Sequence, residues 1–315
     1  MEIAEKVAAL KKNIGKVLIG KENLAELAMI ALVSKGHLLL EDVPGTGKTA
    51  LAKSLAKSIS GTFKRIQFTP DILPGDVTGI QFFHPKEQEF IMKPGPVMTN
   101  ILLADEVNRA TPRTQSSLLE VMEERQVTID GETLKLPSPF LVIATQNPIE
   151  SQGTFPLPEA QLDRFFMKVP SGYPTFEEEK RILQIYRDEE PLESLAPVFT
   201  IDELLHMQQE VKSVRIASDV EDYLLSIVHL TRSHEYIETG ASPRGTLAFM
   251  RAVQAAAYIS GRLFATPDDV QRVAGYVLSH RIVLSMEGAM RKTKNQVLQE
   301  ILEKVEVPVE SGAGL

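Results

Sequence analysis

The chain has 315 residues, of which 43% are hydrophobic and 24% are charged, and this composition is typical of a folded globular protein. Its net charge of -8 gives no general attraction to nucleic-acid phosphates or anionic lipid. The absence of cysteine excludes disulfides, thiol catalysis and cysteine metal sites. No segment has the apolar length that a bilayer requires. We therefore expect a cytoplasmic protein without a membrane span.

Short apolar segments alternate with helical patterns up to residue 173. This alternation predicts an α/β domain, residues 1–173, with a parallel sheet and helices on both faces. The segments that read as buried strands are HLLLED, FKRIQF, NILLAD, FLVIAT and FFMKV.

Two inserts interrupt this first domain. The longer one covers about residues 70–99, where the runs GIQFF and EFIM flank HPKEQ and predict a protruding hairpin. The shorter one covers about residues 126–136, where Asp130-Gly131 lies between two alternating arms, a strong hairpin signal. Long insertions in compact domains are usually functional or disordered.

Helix-start signals dominate the chain after residue 173. Three capping-box pairs and two cap-then-proline pairs each precede an amphipathic run. They are Thr175/Glu178, Thr200/Glu203, Ser218/Glu221, Ser242-Pro243 and Thr266-Pro267. We therefore predict an all-helical domain at 174–306 and a flexible tail at 307–315.

The segment EDVPGTGKT follows the strand HLLL and opens a helix, which is the context of a phosphate-binding P-loop. Its glycines let backbone N–H groups meet phosphate oxygens, Lys48 is expected to reach the β- and γ-phosphates, and Thr49 to ligate magnesium. The predicted ATP-binding residues of the loop are Val43, Pro44, Gly45, Thr46, Gly47, Lys48 and Thr49. The usual pattern has glycine where this chain has Asp42.

The segment ILLADE supplies the second half of a nucleotide site. Four apolar residues predict a buried strand whose carboxyl end carries Asp105 and Glu106. Asp105 is expected to hold Mg²⁺ and Glu106 to orient the attacking water. An ATP hydrolase that uses Mg²⁺ is therefore predicted.

With both halves placed, further segments resemble those of AAA+ ATPases. ATQNP offers Asn147 as the sensor-1 residue, LPEAQLDRFF offers Arg164 as the arginine finger, and GASPRGTL offers Arg244 as the sensor-2 arginine. LIGKEN is similar to the stretch that lines the adenine pocket, which suggests Ile19 and Gly20. The resemblance implies an AAA+ core with a helical lid.

Within AAA+ proteins the chain most resembles the MoxR family, through LPGDVTG, KPGPVMTNILLADEVNRA, RTQSSLLEVMEERQVTIDG and ATQNPIESQGTFPLPEAQLDRF. The inserts then correspond to the helix-2 insert and the pre-sensor-1 hairpin. The resemblance implies a chaperone-like ATPase that remodels, matures or activates partner complexes. Its partner would be a separate von Willebrand factor A domain protein, because this chain has no D-x-S-x-S motif.

The resemblance also implies a homo-oligomeric ring, expected to be a hexamer, in which Arg164 acts on the neighbouring subunit's ATP. Whether Arg244 acts in cis or in trans stays open. The role of the Phe82–Phe90 hairpin also stays open, and the two alternatives are a moving pore element and a hairpin that packs only on itself.

Two other functions compete with this prediction. A DNA-translocating motor belongs to the same AAA+ clade, but the acidic pI of about 5.4 argues against nucleic acid. A nucleotide-gated switch would recruit partners without turnover, but Glu106, Asn147 and Arg164 favour hydrolysis.

Overall fold

The computed structural model describes residues 3–41, 45–147, 153–187 and 190–308. They belong to two compact units, Met1–Gln208 and Gln209–Leu315. The helices are α1 Ile3–Gly15, α2 Glu22–Val33, α3 Lys48–Ser58, α4 Pro74–Thr78, α5 Pro112–Glu124, α6 Glu159–Leu162, α7 Phe176–Ile185, α8 Ile201–Glu210, α9 Ser218–Ser233, α10 Pro243–Ile259, α11 Pro267–Leu278, α12 Met286–Arg291 and α13 Lys294–Lys304. The strands are β1 Leu38–Glu41, β2 Phe63–Gln67, β3 Gly79–His84, β4 Glu89–Pro94, β5 Ile101–Asp105, β6 Gln126–Ile129, β7 Glu132–Lys135, β8 Leu141–Gln146, β9 Met167–Pro170, β10 Ile237–Thr239 and β11 Val283–Leu284.

The first unit is built on a five-stranded parallel sheet in the order β2-β5-β8-β1-β9. The predicted α/β fold is confirmed. Alternate residues of the central strands, such as Leu39, Leu102 and Val142, join a buried cluster with Leu118 and Met122 of α5, as the two-residue repeat of a strand requires. On the sheet's other face, α3 packs against β2 and β5.

Both inserts contain antiparallel hairpins. β3 and β4 pair from Gly79↔Pro94 to His84↔Glu89, and β6 and β7 pair around Asp130-Gly131. Asp130 and Gly131 both have positive φ, as a two-residue hairpin turn requires.

The first unit extends beyond the predicted boundary at 173/174. α1 contacts the start of α8 through an ion pair between Lys6 and Glu203, and Gln208 donates from Nε2 to the carbonyl of Leu32 at 2.7 Å. These contacts join the chain up to Gln208 to the sheet-bearing unit. The assignment of 174–306 to a functional lid stays a prediction.

The second unit, as far as residue 308 where its described part ends, is helical apart from a small sheet of β10 and β11. α10 and α13 each pack against both α9 and α11. Four of the five predicted helix starts have the predicted residue at the N-cap position, but Ser218 does not cap α9. Ala217 has the extended backbone of an N-cap, and Ser218 is already the first helical residue.

Candidate functional site

The glycines of the predicted P-loop have the backbone that the motif needs. Gly45 and Gly47 have φ of 90° and 91°, in the left-handed region that favours glycine. A Cβ on Gly47 would also lie 2.5 Å from Cδ2 of Leu18, so the loop closes against the segment before α2. Val43 and Pro44, and Asp42 at the position where the usual pattern has glycine, lie outside the described residues.

Lys48 and Thr49 form the first turn of α3, directly after Thr46 and Gly47. This places their side chains at the end of a helix whose N–H groups and dipole favour anions. The Lys48 side chain is 11% exposed, and its Nζ lies 3.8 Å from Oδ1 of Asp105. The structure therefore brings the P-loop lysine and the strand-end aspartate together.

Asp105 ends β5 and is a buried carboxylate, 6% exposed. Its Oδ1 accepts a 2.6 Å hydrogen bond from the hydroxyl of Thr145, at the end of the neighbouring strand β8. Its Oδ2 accepts a 2.6 Å hydrogen bond from Nη2 of Arg65 on β2. A buried charge requires such partners, and here two neighbouring strands, β2 and β8, supply them together with Lys48 of α3.

Glu106 has a left-handed backbone, with φ of 58° and ψ of 49°. This conformation costs roughly 1 kcal/mol or more for a residue other than glycine. The backbone N–H of Glu106 donates to Thr145 Oγ1 at 2.9 Å, which helps to hold the turn. Its carboxylate accepts from Gln67 Nε2 at 2.8 Å and pairs with Arg109 Nε at 3.1 Å. Backbone strain at such a position is characteristic of functional sites.

Asn147 follows β8 and is buried, 6% exposed. Its carbonyl accepts from Nδ2 of Asn108, at 3.4 Å, in the turn that begins after Glu106. Gln115 of α5 donates from Nε2 to the carbonyls of Val107 and Phe155. The sensor-1 candidate is therefore tied to the turn that carries Glu106.

Arg164 lies two residues after α6 and pairs with a carboxylate of α5. Its Nε is 2.9 Å from Oε2 of Glu123 in the last turn of α5, and both side chains are about one-third exposed, 33% and 39%. Arg164 is predicted to act on the nucleotide of another subunit. Within its own chain it pairs with the surface carboxylate of Glu123.

The adenine-pocket candidates Ile19 and Gly20 follow a short buried stretch. Ile19 is buried, and Gly20 has φ of 75°. A Cβ on Gly20 would lie 1.9 Å from Oε1 of Glu178 in α7. The pKa of Glu178 is lowered, chiefly because its carboxylate accepts a hydrogen bond from the backbone N–H of Thr175, so Gly20 adjoins an ionised carboxylate.

Arg244 lies in the second compact unit, in the first turn of α10, and its side chain is exposed. Ser242 caps this helix, because its Oγ accepts from the N–H of Gly245 at 3.2 Å, and Pro243 is the first helical residue. The predicted cap-then-proline setting of Arg244 is confirmed.

Three polar residues of the site were not predicted from the sequence: Arg65, Gln67 and Thr145. Thr145 lies at the end of FLVIAT, a strand predicted to adjoin the site, so its polar side chain could have been selected. Arg65 and Gln67 gave no comparable signal, because the pairing of β2 with β5 is not evident from chain order.

A Bacillus subtilis protein named YeaC, itself uncharacterised, is 48% identical over 303 residues, which are 96% of this chain and 95% of YeaC. The chaperone MoxR1 of Mycobacterium tuberculosis is 40% identical over 306 residues, 94% of this chain and 81% of MoxR1. The chain belongs to the MoxR family of AAA+ ATPases.

Two further comparisons agree with membership of the MoxR family. A model of the ATPase family associated with various cellular activities (AAA) matches residues 37–167, and a model of the AAA lid domain matches residues 229–301. A crystal structure of a Cytophaga hutchinsonii protein, described as a candidate ATPase, has a TM-score of 0.91 and 37% identity and covers 98% of this MoxR-family chain and 96% of its own. Within the described ranges, none of the helices is both long and apolar enough to span a bilayer.

Proposed function

We propose that this MoxR-family protein couples hydrolysis of Mg-ATP to the remodelling, maturation or activation of partner protein complexes. One observation carries the proposal: Lys48, Asp105 and Glu106 lie in a single network at the carboxyl ends of β1, β5 and β8, next to the P-loop glycines. This is where parallel α/β sheets place their ligands.

The P-loop residues would bind the phosphates of ATP. Backbone N–H groups of residues 45–47 and of the start of α3 would surround them, with Lys48 contributing a positive charge. Ile19 and Gly20 would line the adenine.

Thr49 and Asp105 would hold the magnesium ion. Their oxygens are the ligand type that Mg²⁺ prefers. The described residues contain no cluster of three His, Cys, Asp or Glu side chains that could bind a metal. The remaining ligands would therefore be phosphate oxygens and water, as is usual for Mg²⁺ at nucleotide sites. When bound, the ion would neutralise charge on the phosphates.

Glu106 would orient and polarise the attacking water. Gln67 and Arg109 fix its carboxylate in the described geometry, so they would set the direction from which it accepts a proton. Asn147, tied to the same turn by Asn108, would contact the reacting water or phosphate.

Two arginines would complete the charge around the γ-phosphate, because phosphoryl transfer depends largely on positioning and charge stabilisation. We assign Arg164 to the neighbour's site in a homo-oligomeric ring, expected to be hexameric. Arg244 would act from the lid, in cis or in trans. The clients would be protein complexes, including a protein with a von Willebrand factor A domain, and the predicted location is the cytoplasm.

The test compares Lys48→Ala with Glu106→Gln. Lys48 would contact phosphate in the ground state, whereas Glu106 would act on the attacking water. We expect Lys48→Ala to lose ATP binding, and Glu106→Gln to keep binding, stop turnover and retain clients in an affinity pull-down. Fluorescent-nucleotide titration and phosphate release measure the two steps.

Arg291→Ala, which removes an exposed pair with Glu287 far along the chain, serves as the control. Equal loss of affinity in both variants would contradict the assigned roles.

A further inference from the structure

Arg65 lies on β2, at the edge of the five-stranded sheet, in register with Leu103 and two residues before Gln67, which is in register with Asp105 at the carboxyl end of β5. Its Nη2 donates to Asp105 Oδ2 at 2.6 Å and to Gln67 Oε1 at 2.7 Å. Gln67 in turn donates to the Glu106 carboxylate. The chain thus places a guanidinium directly on the carboxylate to which the proposed function assigns the metal ion.

The two cations near Asp105 differ in how firmly they are held. Lys48 is 11% exposed and its Nζ stays 3.8 Å from the carboxylate, whereas the Arg65 side chain is 46% exposed and makes the shorter contact. A half-exposed arginine can rotate its guanidinium into solvent at a modest cost, because water replaces part of its hydrogen bonding and screens its charge. Lys48 is enclosed and has less freedom to withdraw.

The oxygens of Asp105 are already engaged. Oδ1 accepts from the Thr145 hydroxyl and lies near Lys48, and Oδ2 accepts from Arg65. A divalent ion approaching this carboxylate, directly or through water, meets a positive charge on Oδ2 and must share or displace it.

We propose that Arg65 competes with Mg²⁺ for Asp105 and thereby lowers the metal affinity of the nucleotide site. The proposal rests on the function proposed above. Arg65 stabilises the buried carboxylate when no metal holds it, and leaves Oδ2 when the ion arrives. The electrostatic cost of that exchange weakens magnesium binding, so Arg65 sets the magnesium concentration at which the site fills.

The test measures Mg²⁺ binding without turnover. Wild type and Arg65→Gln are mixed with a fluorescent, non-hydrolysable ATP analogue below its saturating concentration and titrated with Mg²⁺ from a magnesium-free start, with bound analogue as the readout. We expect Arg65→Gln to bind Mg²⁺ about three- to tenfold more tightly, the range for loss of a partly exposed charge-assisted contact. Its melting temperature in EDTA without nucleotide should be lower than that of wild type, because Asp105 loses a partner.

Two further variants separate charge from structure. Arg65→Lys keeps a cation and should keep the magnesium affinity near that of wild type. Arg291→Gln removes an arginine from an exposed pair elsewhere, with side chains 60% and 65% exposed, and should change neither readout. If Arg65→Gln does not fold, Arg65→Met, which retains an aliphatic stem, takes its place.

Unchanged or weaker Mg²⁺ binding in Arg65→Gln, with normal magnesium-dependent nucleotide binding in wild type, would overturn the role of Arg65 alone. In particular, weaker Mg²⁺ binding in Arg65→Gln would show that Arg65 positions Asp105 for the metal and does not compete with it. Absence of magnesium-dependent nucleotide binding in wild type would overturn the proposed function together with this inference.

Discussion

His37 directly precedes β1 and is buried, with both ring nitrogens in hydrogen bonds. Nδ1 accepts from the N–H of Val142 at 3.0 Å, so Nε2 carries the proton and donates to the carbonyl of Met122 at 3.0 Å. Burial, with a smaller contribution from the charge of Arg125, lowers the pKa of His37 from 6.5 to about 3. One neutral imidazole therefore joins the start of β1 to β8 and α5.

This residue predicts how stability depends on pH. Between the two pKa values the unfolded chain binds a proton that the folded chain does not, so the free energy of unfolding falls as pH drops from about 6.5 toward 3. The loss at pH 5 should be about 2 kcal/mol, at 1.36 kcal/mol per unit. Urea unfolding of His37→Gln should show lower stability at pH 7 and a flatter slope below pH 6.5.

His229→Gln is the matched control, since His229 is exposed on α9, and it should leave the slope unchanged. Parallel slopes in wild type and His37→Gln would show that the acid response arises elsewhere.

At the scale of elements, the β3–β4 hairpin presents aromatic rings to solvent. Phe83 and Phe90 face each other across the strands, with ring centroids 5.4 Å apart, yet they are 51% and 66% exposed. Phe82 is 38% exposed. The hairpin therefore packs on itself in part and still offers apolar surface, which favours a contact with a client.

We expect the Phe82–Phe90 tip to be dispensable for basal hydrolysis but required for coupling to a client. Replacing the tip with a short Gly-Ser turn should leave the basal ATPase rate within about twofold, the scale of a surface change, and abolish stimulation by client. Phe83→Ala/Phe90→Ala should have the same effect with the backbone retained. Lys86→Ala, in the turn between the strands, is the control. Loss of basal rate in a still-assembled protein would place the tip in the catalytic core.

The sequence predicted these elements to different degrees. The central strands are continuous apolar runs and the helix starts carry local chemistry, so β5, β8 and the caps of α7 and α10 were predictable. β10 and β11 are three and two residues long, too short for a period to appear. The roles of Arg65 and Gln67 depend on which strands are neighbours, and β2 pairs with β5 across an insert of two strands.

At the scale of the assembled molecule, Arg164 is expected to act in trans. A finger supplied by a neighbour can contribute on the order of 10³–10⁵ in rate, so an isolated subunit should hydrolyse ATP slowly. An Arg164→Ala subunit keeps its own ATP site but cannot supply an arginine to its neighbour. A Lys48→Ala subunit has lost its own ATP site but can still supply Arg164 to its neighbour. Mixing the two should restore activity, and activity per wild-type subunit should rise with protein concentration.

Lys48→Ala mixed with Glu106→Gln is the control, because neither subunit then has a working site. If activity per subunit stays flat through a measured ring-to-monomer transition, or if the first mixture stays inactive, Arg164 is a structural residue paired with Glu123.

The strand order has a consequence for the sheet's local opening. β1, β5 and β8 are each paired on both sides, whereas β2, among the strands of the described residues, is paired with β5 alone. The residues that we assign to phosphate, metal and water therefore lie at or just after the ends of interior strands. Arg65 and Gln67, which hydrogen-bond to the carboxylates of Asp105 and Glu106, lie on the edge strand β2. Local opening of this edge strand would break the hydrogen bonds to the carboxylates of Asp105 and Glu106 while the interior strands stay paired. In hydrogen exchange, residues 63–67 should lose protection before 101–105 and 141–146. The reverse order would mean that the carboxylates and their edge-strand partners open as a single unit.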